Sequence, residues 1–271
     1  MKTPFLVSPP FLALFASQKS AGKTHAATFL ADALVVNNIK FQAFQVDDQK
    51  RFSHMIGEQV VDLRPDPDKL ISDPTLVTRA LTPIYEAARL AVANKSVVLL
   101  DTGANEVENV ANFFKAVEFE EDAQSWNLPV LVFVPFLVLD PESTSQSAFT
   151  LRRLIDALPS ARVVLVENHF GGSPERLVPG SLARGNYDAL LKLGKGLDRI
   201  IMPAMAREYW SPFEGAGIRF IKAMSMSPDE GSALLGRSSA EVKIMRREVA
   251  LFWRAMHAQL SQIISLPYGG A

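Results

Sequence analysis

The sequence predicts an α/β fold: a doubly wound, mainly parallel sheet with helices on both faces. Three observations predict it. Short apolar runs alternate with segments of helical spacing, as in sheets whose strands are buried on both sides. The first apolar run passes through a loop of small residues straight into a helical pattern. Polar residues stand at the ends of the apolar runs, at 17–24, 47–48, 101 and 168. In parallel sheets ligands sit beyond the carboxyl ends of the strands, so one topology gathers these residues at one edge.

The elements follow in order. Residues 11–16 form the first strand, and Pro9 and Pro10 separate it from the apolar lead-in, which argues against a secretory leader. Residues 24–36 read as helix, with Ala27, Leu30, Ala31 and Leu34 at helical spacing and Asn37-Asn38 as the stop. Phe41, Ala43 and Val46 mark a second strand that closes at Asp47-Asp48. Residues 51–74 read as irregular, broken by Pro65, Pro67 and Pro74. Residues 75–93 are helical, with a kink or a break expected at Pro83. Strands are predicted at 96–101, 129–134, 162–167 and 199–203. Helices are predicted at 107–117, 143–157, around 187–193 and at 239–264. Neither a linker nor a repeat interrupts the pattern, so 1–271 reads as one domain ending in the long helix.

Composition narrows the function. The chain has 271 residues, 48% hydrophobic and 21% charged, enough for a large core. A net charge of −1 gives no global field toward nucleic acid or anionic lipid. The absence of Cys excludes disulfides, thiolate metal sites and a Cys nucleophile. The apolar run at 128–139 contains Pro129 and Pro135 and is too short to span a bilayer. A soluble, cytoplasmic protein is expected. His25, His54, His169 and His257 lack metal-ligand spacing, and His25 reads as an exposed first-turn residue. No G-x-S-x-G or G-x-G-x-x-G pattern is present.

The informative stretch is Ser17-Gln18-Lys19-Ser20-Ala21-Gly22-Lys23-Thr24. Strand, small-residue loop, Gly-Lys-Thr and helix form the context of a phosphate-binding loop, although Ser17 stands where the usual pattern has Gly. Backbone N–H groups of such a loop turn inward, and the helix aims its positive end at the same point. Lys23 would place a charge on the β- and γ-phosphates, and the Thr24 hydroxyl would ligate Mg²⁺.

The order of motifs resembles the ParA/MinD-type, deviant-Walker ATPases of the P-loop NTPase fold. The resemblance runs over residues 11–220. The family's K-G-G-x-G-K-[ST] corresponds to residues 18–24. D-x-D-P-Q is similar to Gln45-Val46-Asp47-Asp48-Gln49, and D-T-P to Asp101-Thr102-Gly103. The fifth strand ends in Asn168, and the sixth is followed by Pro203. The resemblance implies that Asp47 orients or activates the attacking water, with Asp48 able to exchange roles or join the metal site. It implies that Asp101 holds a Mg²⁺-bound water and that Asn168 hydrogen-bonds the adenine edge. A turn-forming or capping role is the alternative for each of Asp47, Asp101 and Asn168. The family's first loop lysine, which reaches across a dimer, is replaced by Gln18; Lys19, or less favourably Arg51, would have to substitute.

The expectation is therefore a Mg-ATP-dependent ATPase, slow without a partner, working as a nucleotide-dependent homodimer switch that positions cargo such as plasmid DNA or a transfer complex. An activating protein partner and non-specific DNA belong to that expectation; a membrane contact is less favoured. Lys192, Lys195 and Arg199 would be the phosphate contacts on DNA, although a solvated face explains them more simply. The basic residues of the tail helix read as the solvated side of a helix packed on the sheet. A P-loop small-molecule kinase or ATP-dependent synthetase, and a non-hydrolysing interaction protein, are the competing readings.

Overall fold

The computed structural model describes residues 6–17, 21–57, 59–65, 68, 73 and 75–266. Gln18, Lys19 and Ser20 lie outside the described residues, and with them three of the predicted loop positions. Seven strands form one sheet: β1 (Leu12–Phe15), β2 (Lys40–Val46), β3 (Val60–Asp62), β4 (Ser96–Thr102), β5 (Val130–Leu137), β6 (Arg162–Asn168) and β7 (Asp198–Met202). Their order is β3-β2-β4-β1-β5-β6-β7, and every pairing is parallel. This is the predicted doubly wound P-loop NTPase arrangement.

Period-two alternation sends successive strand residues to opposite faces. Ala13, Phe15, Val97, Leu99, Phe133, Val164 and Val166 enter one core, while Leu12, Leu14, Val98, Leu100, Val132 and Leu165 enter the other. The first core is covered by α1 (Lys23–Val36), α2 (Arg51–Ile56), α9 (Arg207–Gly215), α10 (Phe220–Ser225) and α12 (Ser239–Leu260). The second is covered by α4 (Thr82–Asn94), α5 (Val107–Ala116), α6 (Phe119–Ser125), α7 (Pro141–Ala157) and α8 (Leu182–Leu193). The same parity puts Asp101 and Asn168 on the α1 face, and Glu167 on the other.

Several predicted boundaries are corrected. Residues 51–74 are not wholly irregular: α2 and the edge strand β3 lie there, each too short for its periodicity to show. The break predicted at Pro83 falls at Leu81, between α3 (Leu76–Ala80) and α4, with Pro83 in the first turn of α4 where its missing N–H is harmless. Pro135 remains inside β5, opposite Val166. Helices α6, α9, α10 and α11 (Pro228–Leu235) were not foreseen. The tail helix ends at Leu260, four residues early; it buries Val242, Met245, Val249, Phe252, Trp253 and Met256, as its spacing predicts.

Helix α1 is buried on almost every side, Ala26 to Leu34. It carries the buried carboxylate Asp32, which pairs with Arg219 and accepts the Ile221 N–H at 3.0 Å. Burial nevertheless pushes Asp32 up to about 6, against the pull of Arg219. The loop helix is thereby fastened to the segment that opens α10. No helix among the described residues is long and apolar enough to cross a membrane.

Candidate functional site

A cleft of about 610 Å³ opens at the carboxyl ends of the strands, above the first turn of α1. Lys23, Thr24, Asp47, Asn168 and Pro203 all line it, so the structure gathers these predicted positions in one place. The sheet register explains part of this: Phe15 and Gln45 both stand opposite Asp101, which aligns the tips of β1, β2 and β4. Thr102 donates its hydroxyl proton to the Phe15 carbonyl at 2.9 Å and fixes β4 to β1 where the loop begins.

The loop enters α1 through Gly22, whose φ is +100°. A Cβ there would come within 2.8 Å of both Asn168 Nδ2 and Met202 Cε. Glycine is required for the backbone conformation and again for the close approach of β6 and β7. Asn168 Nδ2 donates to the Ala21 carbonyl at 3.0 Å, and its Oδ1 accepts the Phe170 N–H at 2.9 Å. Asn168 thus holds the loop, using one of its two amide protons on the Ala21 carbonyl. Ala21 and Ser17 are fully buried beneath it.

At the other end of the cleft, the Thr24 hydroxyl donates to Asp101 Oδ2 at 2.7 Å. Asp101 is 1% exposed, one layer below the surface of the cleft. Its second oxygen, Oδ1, has no hydrogen-bond partner among the described residues. Burial raises the Asp101 carboxyl to about 7, although Lys23 and the Thr24 hydroxyl pull it down. Lys23 is held below its ordinary value by burial, with Asp101 and Asp47 opposing and Arg51 adding to the depression. Lys23 and Asp101 are therefore electrostatic neighbours, and burial disfavours the charged form of each.

The hydroxyl of Thr24 and the orphaned Asp101 oxygen form the donor set that a hard divalent cation prefers. Among the described residues no group of three or more His, Cys, Asp or Glu side chains is placed to hold a metal. A cation here would need further oxygens from a ligand and from water. Asp48, the other predicted metal position, lies on the cleft wall, but its carboxylate is 85% exposed and pairs with Arg64 at 3.2 Å. It is not brought together with Thr24 and Asp101. Asp47 is: Gly103 donates its N–H to the Val46 carbonyl, and a Cβ on Gly103 would meet that oxygen at 2.9 Å. The β2 and β4 tips close together because residue 103 is glycine.

The sequence reading missed the far wall. Arg207, Trp210, Ser211 and Glu214 line the cleft from α9 at i, i+3, i+4 and i+7, one helical face. That spacing was available, but Pro212 inside the helix hid it. Phe170, two residues past Asn168, is 46% exposed at the mouth, with the Arg207 guanidinium 5.6 Å from its ring centre. His25 is not the exposed residue expected: its ring meets Trp210 at 5.4 Å and Phe220 at 6.0 Å, both edge-on. Burial lowers its pKa, so the neutral imidazole is favoured.

No protein-family profile and no curated protein matches the chain. Solved structures are similar to it. McdA from Cyanothece, in its ATP complex, is 13% identical over 90% of this chain and 98% of that one, with a TM-score of 0.49. The MinD cell division protein of Aquifex aeolicus is 13% identical over 87% and 97%, with a TM-score of 0.46. The signal recognition particle receptor FtsY of Elizabethkingia anophelis is 14% identical over 74% and 61%, at 0.40. These likenesses are distant, and the fold and the site rest on the topology and distances above. In structure the chain is similar to McdA and MinD, which are ParA/MinD-type ATPases, the family its motifs resemble.

Proposed function

We propose that this chain binds Mg-ATP in the cleft and hydrolyses it slowly, using nucleotide state to switch a homodimer that positions a cargo. The observation that carries this reading is the conjunction at the start of α1. A glycine-entered helix N-terminus, a buried lysine and a threonine–aspartate pair meet at the carboxyl edge of a parallel sheet. Loop N–H groups and Lys23 bind the phosphates. Thr24 and Asp101 would hold a Mg²⁺ ion, the hydroxyl directly and the carboxylate through water. The cation's chemistry, when bound, is to neutralise charge on the phosphate oxygens. Asp47 is the carboxylate within reach to orient a water, and Asn168 has one amide proton left for a base edge. Gln18 stands where the family's loop carries its partner-reaching lysine, which supports slow turnover without a partner.

Calorimetry with Mg-ATP and Mg-ADP tests binding, and sedimentation with a non-hydrolysable ATP analogue tests the switch. Saturable binding of both nucleotides and analogue-dependent dimers are expected. Binding without any association would remove the switch but keep the site. Transfer of the labelled γ-phosphate to a metabolite would replace the ATPase by a small-molecule kinase.

A further inference from the structure

We propose that Arg51 is the cation that meets the γ-phosphate, supplied by the same chain where the loop lacks its signature lysine. The proposal rests on reading the cleft as a Mg-ATP site. Arg51 is the first residue of α2 and follows Lys50, which turns the chain with a φ of +49°. Directly after the Asp47-Asp48 strand end, that turn brings Arg51 onto the cleft wall with Lys23, Thr24 and Asp47. Its charge is felt by three site groups: it helps depress Lys23 and His25, and it draws Asp101 downward.

An arginine so placed would ordinarily be neutralised by a carboxylate. Among the described residues Arg51 has neither an ion pair nor a side-chain hydrogen bond. Of the acids near it, Asp62 pairs with Arg64 at 2.9 Å and with Lys50 at 3.3 Å, Asp48 pairs with Arg64, and Asp47 and Glu214 line the same cleft without an ion pair to it. An uncompensated guanidinium beside a lysine is unfavourable in the empty cleft and favourable once a polyanion enters. Its planar fork suits two oxygens of one phosphoryl group, which a lysine cannot engage in the same way.

The role follows from charge. A water oxygen bonds to the γ-phosphorus, and the bond from that phosphorus to the β–γ bridging oxygen breaks. The electron pair stays on ADP, and orthophosphate and one proton are released. Negative charge builds on the γ-oxygens and on the bridging oxygen during this step, and a guanidinium on the γ side lowers that barrier. ADP lacks the group Arg51 would grip, so Arg51 separates the two nucleotides.

The test compares wild type, Arg51→Ala, Arg51→Lys and Lys19→Ala with Mg²⁺ present, measuring affinity for a non-hydrolysable ATP analogue, affinity for ADP, and phosphate release. Arg51→Ala is expected to weaken the ATP analogue about tenfold while ADP affinity moves less than about twofold. Phosphate release should slow by about tenfold or more, with Arg51→Lys recovering part of it. Equal losses for both nucleotides would mark Arg51 as merely structural, and no change in either would remove it from the site. Selective loss in Lys19→Ala but not in Arg51→Ala would return the role to the loop. If wild type binds neither nucleotide, the Mg-ATP reading itself fails, a result distinct from all of these.

Discussion

The two ends of the cleft are built on different terms. The inner end takes Lys23 and Thr24 from the first turn of α1 and Asp101 from the tip of β4, with Lys23 and Asp101 buried. The outer end takes Phe170 from a loop and Arg207 from α9, and both stand open to solvent. At the inner end, burial holds a lysine below and a carboxyl above its ordinary value. Such groups oppose the stability of the empty protein and gain when phosphate and cation arrive to complete them. The outer end stores no such imbalance. It offers surface, and its contribution is correspondingly smaller.

The largest effect expected from that contrast is at Lys23. Lys23→Ala removes the buried cation in the first turn of α1 and should weaken ATP and ADP alike by about a hundredfold or more, as measured by calorimetry. The melting temperature of the variant without nucleotide should move far less than its affinity, because burial disfavours the lysine's charge. A lower melting temperature with intact nucleotide affinity would break the contrast, making Lys23 a structural residue.

Asp101 sharpens the same point through pH. Its folded value of about 7 lies above its ordinary 3.8, so the folded state retains the proton over that interval while the unfolded chain loses it. The stability it contributes is full below about pH 4 and is lost as pH rises through about 7. Asp101→Asn keeps an acceptor for Thr24 and has no charge to bury. Thermal melts without nucleotide should show the variant about 2–6 °C higher at pH 8, the gain shrinking to nothing near pH 4. A gain independent of pH would mean that packing, rather than ionisation, sets the difference. Nucleotide-induced stabilisation with Mg²⁺ should fall in the same variant.

The sequence disclosed these two ends unequally, for physical reasons. Gly22-Lys23-Thr24 and Asp101 were legible because a strand buried on both faces is an unbroken apolar run, and the polar residues that end the run stand out. The parallel sheet followed from the same runs. The outer end was not legible. Phe170 looks like any loop aromatic until the register of β6 against β7 places it at the cleft mouth. Arg207, Trp210 and Glu214 share one helical face, but Pro212 interrupts the helical reading of that segment. Arg51 fell in a stretch that its prolines marked as irregular, and a six-residue helix carries too few turns to declare a period. Charge alone did not separate Asp47 from Asp48; the glycine at 103 and the pairing of Asp48 with Arg64 did.

The smallest effect is expected at Phe170, and it defines where the site stops. The ring is 46% exposed, and Arg207 covers one side of it at 5.6 Å. A purine seated past Asn168 would gain a stacking surface there, partly at the expense of the arginine already present. Phe170→Ala should therefore weaken ATP and ADP equally, by about threefold to tenfold. Turnover at saturating Mg-ATP should not change, because contacts to a distant base are the same before and during phosphate cleavage. Phe170→Tyr, which keeps the ring, should restore affinity. If Phe170→Ala instead lowers turnover at saturation, the cleft does not divide into a charged end that performs chemistry and an apolar end that only binds. Movement at the mouth would then be linked to the loop through Asn168, whose side chain holds the Ala21 carbonyl and the Phe170 N–H at once.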